Sequence, residues 1–308
     1  MMIEGTKETS MRKTLLIVSS VFLLVAAAKK TSTTALTDWK DVEQAIGRAG
    51  SMQPGDVYKV SFPREDLAVT FDGVTIKPAL ALGSWAAFKE IGGGHVMTMG
   101  DLVLLETEVT PVLDALQEGG IQQSALHNHL IGESPHVMYM HFDGHGDAAR
   151  LARTLHDALA LTKTPMGPAA TPSVTAPAID LPTADLDRII GKPGKIAGGT
   201  YQFAVPRAEK IIEHGTEVPP AMGMAIAMNF QPTGEGRAAI TGDFVLLASE
   251  VNPVIRILRN GGIAVTALHS HMLEETPRLF FMHFWAKDDA KKLATTLRAA
   301  LNVVHIKP

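Results

Sequence analysis

The chain has 308 residues, of which 46% are hydrophobic and 19% charged, and it carries a net charge of −4. That length allows about two domains with real cores, and no run of like charge offers a surface for nucleic acid or an anionic membrane. Cysteine is absent, which excludes disulfides, thiolate metal sites, a cysteine nucleophile and a lipoprotein anchor.

Residues 1–28 read as an export signal. Arg12-Lys13 form a basic start, Leu15 to Val25 a short apolar run, and Ala26-Ala27-Ala28 a small-residue cleavage site. The run is shorter than the ~20 residues a spanning helix needs, so a soluble secreted or periplasmic protein with no membrane contact after cleavage is expected. Met11 directly before the basic pair suggests an upstream extension over residues 1–10.

The remainder is an internal duplication. Copy one covers residues 36–161 and copy two residues 181–304, and residues 162–180 form a Pro/Ala/Thr-rich connector. Tyr58 matches Tyr201, Pro63-Arg64 matches Pro206-Arg207, Gly100-Asp101 matches Gly242-Asp243, and Glu108 matches Glu250. Strands are expected near Val57–Phe62, Val74–Pro78 and Leu80–Phe88, extending a sheet. Leu102–Val109 and Phe244–Val251 then read as strands leading into helices that open at Thr110-Pro111 and Asn252-Pro253. Gly119-Gly120 and Gly261-Gly262 end those helices.

Two more strands follow, Gln122–Leu130 and His136–Phe142. A final helix starts near Asp147 or Asp289, with Leu151, Leu155 and Leu159 (Leu293, Leu297 and Leu301 in copy two) on one stripe. The order β-α-β-β-α is that of a ferredoxin-like layer, and the fold class is α+β with two similar lobes, each an antiparallel sheet.

The most chemically loaded block is kept in both copies. His127-Asn128-His129, Glu133, Pro135 and His141-Phe142 recur as His269-Ser270-His271, Glu275, Pro277 and His283-Phe284 at constant spacing. Strand side chains alternate faces, so His127 and His129 point the same way. A turn centred near Ser134 sets His127 opposite His141 and His129 opposite Tyr139. One face then holds the histidines, and Leu126, Leu130, Met138, Met140 and Phe142 face the helices. Opposed residues have Cβ atoms about 5 Å apart, close enough for three imidazoles to reach one ion at about 2.0–2.1 Å. His127, His129 and His141 are therefore candidate ligands of a divalent transition metal such as Zn²⁺, and His269, His271 and His283 of a second. Glu133 and Glu275, in the turns, are candidate catalytic bases on a metal-bound water. The plainer alternative is a buried polar layer of mutually hydrogen-bonded imidazoles.

Other polar residues read as structural. Arg64 and Arg207 could clamp a carboxylate or phosphate, but an ion pair with Asp66 or Glu209 is the simpler reading. Glu108 and Glu250 place negative charge at helix starts. His136 has Arg278 as its counterpart and reads as surface. His145 and His156 lack counterparts in copy two and are expected to be solvated.

The repeated Ala-Leu-His-Asn/Ser-His block, with Gly-Asp-Leu/Phe-Val-Leu-Leu and Glu-Val-x-Pro-Val before it, resembles the LppY/LpqO family of exported bacterial proteins. The resemblance implies a cell-envelope or secreted setting and brings no reaction with it. Three functions remain open. The first is a metal-dependent envelope protein, hydrolytic if enzymatic. The second is a metal-free two-histidine enzyme resembling the two-histidine phosphoesterases, although neither copy has a hydroxyl two residues after its first histidine. The third is a non-enzymatic module that binds a small molecule or envelope component.

Overall fold

The computed structural model describes residues 37–168 and 178–308. The expected export signal over residues 1–28 and the middle of the connector lie outside the described residues.

Copy one runs α1 (Trp39–Ile46), β1 (Ser51–Gln53), β2 (Val57–Pro63), β3 (Thr70–Phe71), β4 (Val74–Thr75), α2 (Pro78–Ala81), β5 (Gly83–Gly92) and β6 (His95–Leu105). It continues with α3 (Glu106–Glu118), β7 (Gln122–His127), β8 (Val137–Gly146) and α4 (Ala148–Leu159). Copy two repeats the order as α5 (Thr183–Ile190), β9 (Lys195–Ala197), β10 (Thr200–Pro206), β11 (Ile212–Glu213) and β12 (Thr216–Glu217). A 3-10 turn at Pro220–Met222 stands where copy one has α2. Then come β13 (Ala225–Gly234), β14 (Arg237–Leu246), α6 (Ala248–Asn260), β15 (Ala264–His269), β16 (Phe280–Asp289) and α7 (Ala290–Leu301).

Each copy builds a six-stranded antiparallel sheet, ordered β1-β2-β5-β6-β8-β7 and β9-β10-β13-β14-β16-β15. The expected α+β class and the two similar lobes are present. Within each sheet the run β5-β6-β8-β7 is a ferredoxin-like order whose fourth strand comes first in the chain. One sheet face is covered by the copy's own helices: Val60, Phe62, Phe88, Leu102, Leu104, Met140 and Phe142 pack with Val42, Val112, Leu151 and Leu155. The opposite face meets the other lobe. Val57, Ala87, Met97 and Met99 join the core of copy two, and Trp285 and Ala239 join an apolar cluster of copy one.

Contacts across this junction are reciprocal, as an approximate twofold requires. Lys59 Nζ donates to the Ala221 carbonyl (3.2 Å), and Gln202, its counterpart, donates to that of Ala79 (2.8 Å). Ser124 Oγ donates to the His271 carbonyl (2.5 Å), and Thr266 Oγ1 to that of His129 (2.6 Å).

Four sequence expectations change. First, α3 and α6 start earlier than the prolines, at Glu106 and Ala248, so Pro111 and Pro253 lie inside their helices. The Glu108 carboxylate accepts the Leu105 N–H at 2.9 Å, and Glu250 accepts that of Leu247 at 2.7 Å, which caps each helix ahead of its proline. Second, Val74–Thr75 pairs with Thr70–Phe71 in a small separate hairpin instead of extending the sheet. Third, the hairpin register is offset by two residues: His127 pairs with Tyr139, and Ala125 with His141. An even shift preserves the faces, so His127 and His141 still share one. Fourth, Leu126 and Leu268 lie on the helix-side face, opposite Met140 and Met282, but on the edge strands β7 and β15 they stay about half exposed.

Candidate metal centre

The six repeated histidines converge on a single place, the face where the two lobes meet. β7 delivers His127 at its end, β8 delivers His141, and β15 and β16 deliver His269 and His283. His129 and His271 lie just past β7 and β15. Their carbonyls are held by the Thr266 and Ser124 hydroxyls of the opposite copy. Asn128 ties the same segment down twice, donating to the carbonyls of Leu130 (2.7 Å) and Thr266 (3.1 Å). The position of each loop histidine is thus set by both copies.

The rings pair across the twofold more closely than within a copy. Centroid separations are 3.7 Å for His127–His269, His129–His283 and His141–His271. The within-copy separations are 5.1 Å for His127–His141 and 5.0 Å for His269–His283. His129 also stacks on Tyr139 and His271 on Phe281. His127 Nε2 lies 3.3 Å from His283 Nε2. Two nitrogens bound about 2.05 Å from a tetrahedral zinc stand about that far apart.

The donor atoms that cluster within 4.8 Å of one another form two mixed sets, His127, His269 and His283, and His141, His269 and His271, and a third, Asp243, His271 and His283, that lies in copy two alone. The grouping expected from sequence, one set of three per copy, is therefore replaced by sets drawn mostly from both copies.

Burial favours the neutral form of these imidazoles, the form that can bind a metal ion. All six are pushed below the ordinary histidine range, first by burial; for five of them the neighbouring imidazoles push in the same direction. In His283 the charge of Asp243 and a bond to the Gly242 carbonyl oppose the shift. That bond, 2.8 Å at Nδ1, fixes the proton on Nδ1 and leaves the Nε2 lone pair aimed at His127, as metal-binding imidazoles are commonly oriented. Ring nitrogens of His127, His129, His141, His269 and His271 are buried without a hydrogen-bond partner. Buried polar atoms normally have one, and each exception costs about 1–3 kcal/mol. A cation at the centre of the cluster would satisfy several together.

Gly100-Asp101 and Gly242-Asp243 match in the two copies, and only the fold brings their carboxylates to the site. The register of β6 on β8 sets Asp101 beside His141, and β14 on β16 sets Asp243 beside His283. Asp101 Oδ2 comes 3.7 Å from His129 Nε2 and 3.9 Å from His141 Nε2, and Asp243 Oδ2 comes 3.2 Å from His271 Nε2. The glycines are required by close approach. A Cβ at Gly242 would meet the Ala227 carbonyl oxygen at 1.9 Å, and one at Gly100 would meet Phe142 and the Trp85 carbonyl at 2.3 Å. Burial pushes Asp101 up to about 8, helped by the charge of Asp243 and opposed by Lys59. Burial likewise pushes Asp243 up to about 6 against His283 and a Met282 N–H. The signal available in the sequence was a repeated acid on a core strand.

Glu133 and Glu275 are buried but belong to their turns. Glu133 accepts the Val137 N–H (3.2 Å) and faces His136 Nδ1 (2.9 Å); Glu275 accepts the Leu279 N–H (2.8 Å) and faces Arg278 (3.1 Å). Neither joins a histidine donor set. Arg64 and Arg207 are buried in internal ion pairs. Arg64 binds Asp66, Glu108 and the Val103 carbonyl, and Arg207 binds Glu209, Glu250 and the Val245 carbonyl. A surface pocket of about 280 Å³ lies beside the copy-one turn between Asn128, Ile131, His136 and Met138, and none of the six histidines lines it.

The profile of one family, described as Domain of Unknown Function (DUF1259), matches residues 40–161 and again residues 184–303. The chain belongs to that family. No curated protein matches it. Two solved structures are similar over most of its length. The trimeric bacterial microcompartment shell protein PduB is 11% identical, over 83% of this chain and 90% of that one, with a TM-score of 0.21. EtuB from Clostridium kluyveri is 10% identical, over 82% of this chain and 88% of that one, with a TM-score of 0.20. The two DUF1259 repeats correspond to the two lobes, and the centre lies between them. Each repeat alone holds half of it.

Proposed function

We propose that this DUF1259 protein is an exported metal-binding protein whose two repeats clasp a divalent transition ion in one shared histidine centre. The observation that carries this reading is the mixed-copy donor set His127, His269 and His283, which combines a 3.3 Å Nε2···Nε2 approach with buried, unprotonated rings. Imidazole with nearby carboxylate and no thiolate suits Zn²⁺. A bound water would be the nucleophile of a hydrolytic reaction. Asp101 and Asp243 are the carboxylates beside the rings, whereas Glu133 and Glu275 support the turns from which a base would have to reach.

A metal-free reading is favoured by one observation. The same 3.3 Å contact fits an imidazole–imidazole hydrogen bond across a pseudo-twofold, the arrangement a two-histidine acid–base enzyme would use. Zn²⁺ titration of untagged, metal-stripped full chain separates the two. Stoichiometric uptake that is lost at acid pH supports the metal centre. Absence of uptake, with phosphodiester hydrolysis unaffected by chelator, supports the acid–base reading.

The exported setting is supported by Arg12-Lys13, the apolar run to Val25 and Ala26-Ala27-Ala28, together with the LppY/LpqO resemblance. The ligand is then a small molecule or a component of the cell envelope. Intact-mass analysis of the protein recovered outside the cytoplasm should show cleavage near Ala28; a mass retaining residues 1–28 would contradict export by signal cleavage.

A further inference from the structure

The face of β8 that carries His141 continues through Asp143 to His145, and there it meets the β11–β12 turn of the other copy. Asp143, His145 and His214 offer donor atoms all within 4.8 Å of one another. The rings of His145 and His214 stand edge to face at 5.1 Å. Glu213, 2% exposed, has its Oε1 3.8 Å from His214 Nε2, and Glu274 Oε2 lies 3.5 Å from His214 Nδ1. His145 was expected to be solvated, but its Nε2 is buried and unpartnered.

Approximate symmetry supplies an internal control. The corresponding place at the other end of the junction holds Trp285, Lys287, Phe71 and Asp72. It is closed by an edge-to-face contact of Phe71 on Trp285 (4.9 Å) and an ion pair of Lys287 with Asp72 (3.5 Å). The backbone is the same at both ends. His214 and Asp72 both have φ +49 and are followed by positive-φ glycines. The fold therefore needs neither histidine nor extra acid at this position. Where one end has a lysine and an aromatic pair, the other has two buried acids and two imidazoles. Among the described residues no lysine or arginine pairs with Asp143 or Glu213, and Glu213 Oε2 is buried with no partner. Buried carboxylates without a cation are costly, and a bound cation would supply the missing charge.

We propose that Asp143, His145 and His214 form a second divalent-cation site, separate from the six-histidine centre, that clips β8 of copy one to the β11–β12 turn of copy two. Two imidazoles and a carboxylate suit a first-row ion of the zinc class. His214 is partly exposed, so the site opens to solvent on that side. Glu213 is placed to act as a further ligand or to accept from a metal-bound water.

The test uses untagged full chain, stripped of metal and titrated with Zn²⁺ against a chromophoric chelator. The His145→Gln/His214→Asn double variant removes both imidazoles, and asparagine tolerates the left-handed turn. Matching circular dichroism and urea midpoints of the metal-free proteins establish that it folds. The variant should bind one equivalent fewer than wild type while keeping any zinc held by the six-histidine centre. If that centre takes no zinc, the count should fall from one to none. Should the double variant not fold, Asp143→Asn alone should weaken the same equivalent at least tenfold. Equal counts and affinities in wild type and folded variants would overturn the proposal.

Discussion

His127 and His283 are 156 residues apart in the chain, yet their Nε2 atoms stand 3.3 Å from each other. Each is the counterpart of a residue in the other repeat, so this contact states how the duplication is used: the six-histidine face is assembled from both copies. One expected consequence is coupling. Replacing His269, which belongs to two donor sets, with alanine should remove metal from the whole centre and not merely from copy two. Zn²⁺ affinity by chelator competition would fall at least 100-fold. Unchanged binding by the remaining five histidines would point to an independent site within one copy.

The carboxylates should separate by role. Asp101→Asn and Asp243→Asn alter groups beside His129, His141 and His271 and should weaken metal binding about 10–100-fold, the usual range for groups that orient ligands. Glu133→Gln and Glu275→Gln change groups held by turn backbone and by His136 or Arg278. They should leave metal affinity within about threefold of wild type, on the expectation that distant sites act independently. The reverse order of effects would return the turn glutamates to the centre.

The metal-free protein should be acid-sensitive. All six imidazoles have folded-state values depressed by burial, so their contribution is present above the unfolded value of about 6.5 and lost as pH falls below it. Asp101 and Asp243, raised to about 8 and about 6, act with the opposite sign. Their contribution is present at low pH and lost as pH rises through those values. Near pH 5 unfolding takes up protons on the imidazoles and releases them from these two carboxyls; the imidazoles are the more numerous, so stability falls as pH drops through this window. Urea melts in chelator should show maximal stability near neutrality and a steep loss between pH 6.5 and 5, a window set by the same values. A flat profile there would mean the imidazoles are not buried as neutral groups.

Arg64 should be structural only. Its guanidinium is wholly buried between Asp66, Glu108 and the Val103 carbonyl. Arg64→Ala leaves those carboxylates unpaired and should cost about 3–5 kcal/mol in denaturant unfolding, with zinc stoichiometry unchanged in the folded protein. A loss under 1 kcal/mol, or loss of zinc from a still-folded variant, would contradict this role.

Much of this arrangement was legible in the sequence. The repeat identified the six histidines, and alternation along β8 put His141 on the face of His127 even though the inferred register was two residues off. Parity survives an even shift; pairing does not. What could not be read locally was the docking of one copy on the other. Asp101 enters the centre only through the pairing of β6 with β8, and His129 is positioned by a hydroxyl of copy two. His145 reads as solvated in the sequence because copy two has no histidine at the matching position, where Lys287 stands. In the structure that asymmetry is what distinguishes one end of the junction from the other. The helices start earlier because Glu108 and Glu250 cap the backbone N–H three residues before them, and Leu105 and Leu247 at the cap positions carry no polar side chain to announce it.

The shared centre is tested most directly by anomalous diffraction at the zinc edge from crystals of the untagged, zinc-loaded full chain. The expected result is a peak inside the six-histidine cluster, with imidazole nitrogens of both copies about 2.0–2.1 Å away, His283 Nε2 among them. A cluster without a peak, or an ion bound by histidines of a single copy, would contradict the account.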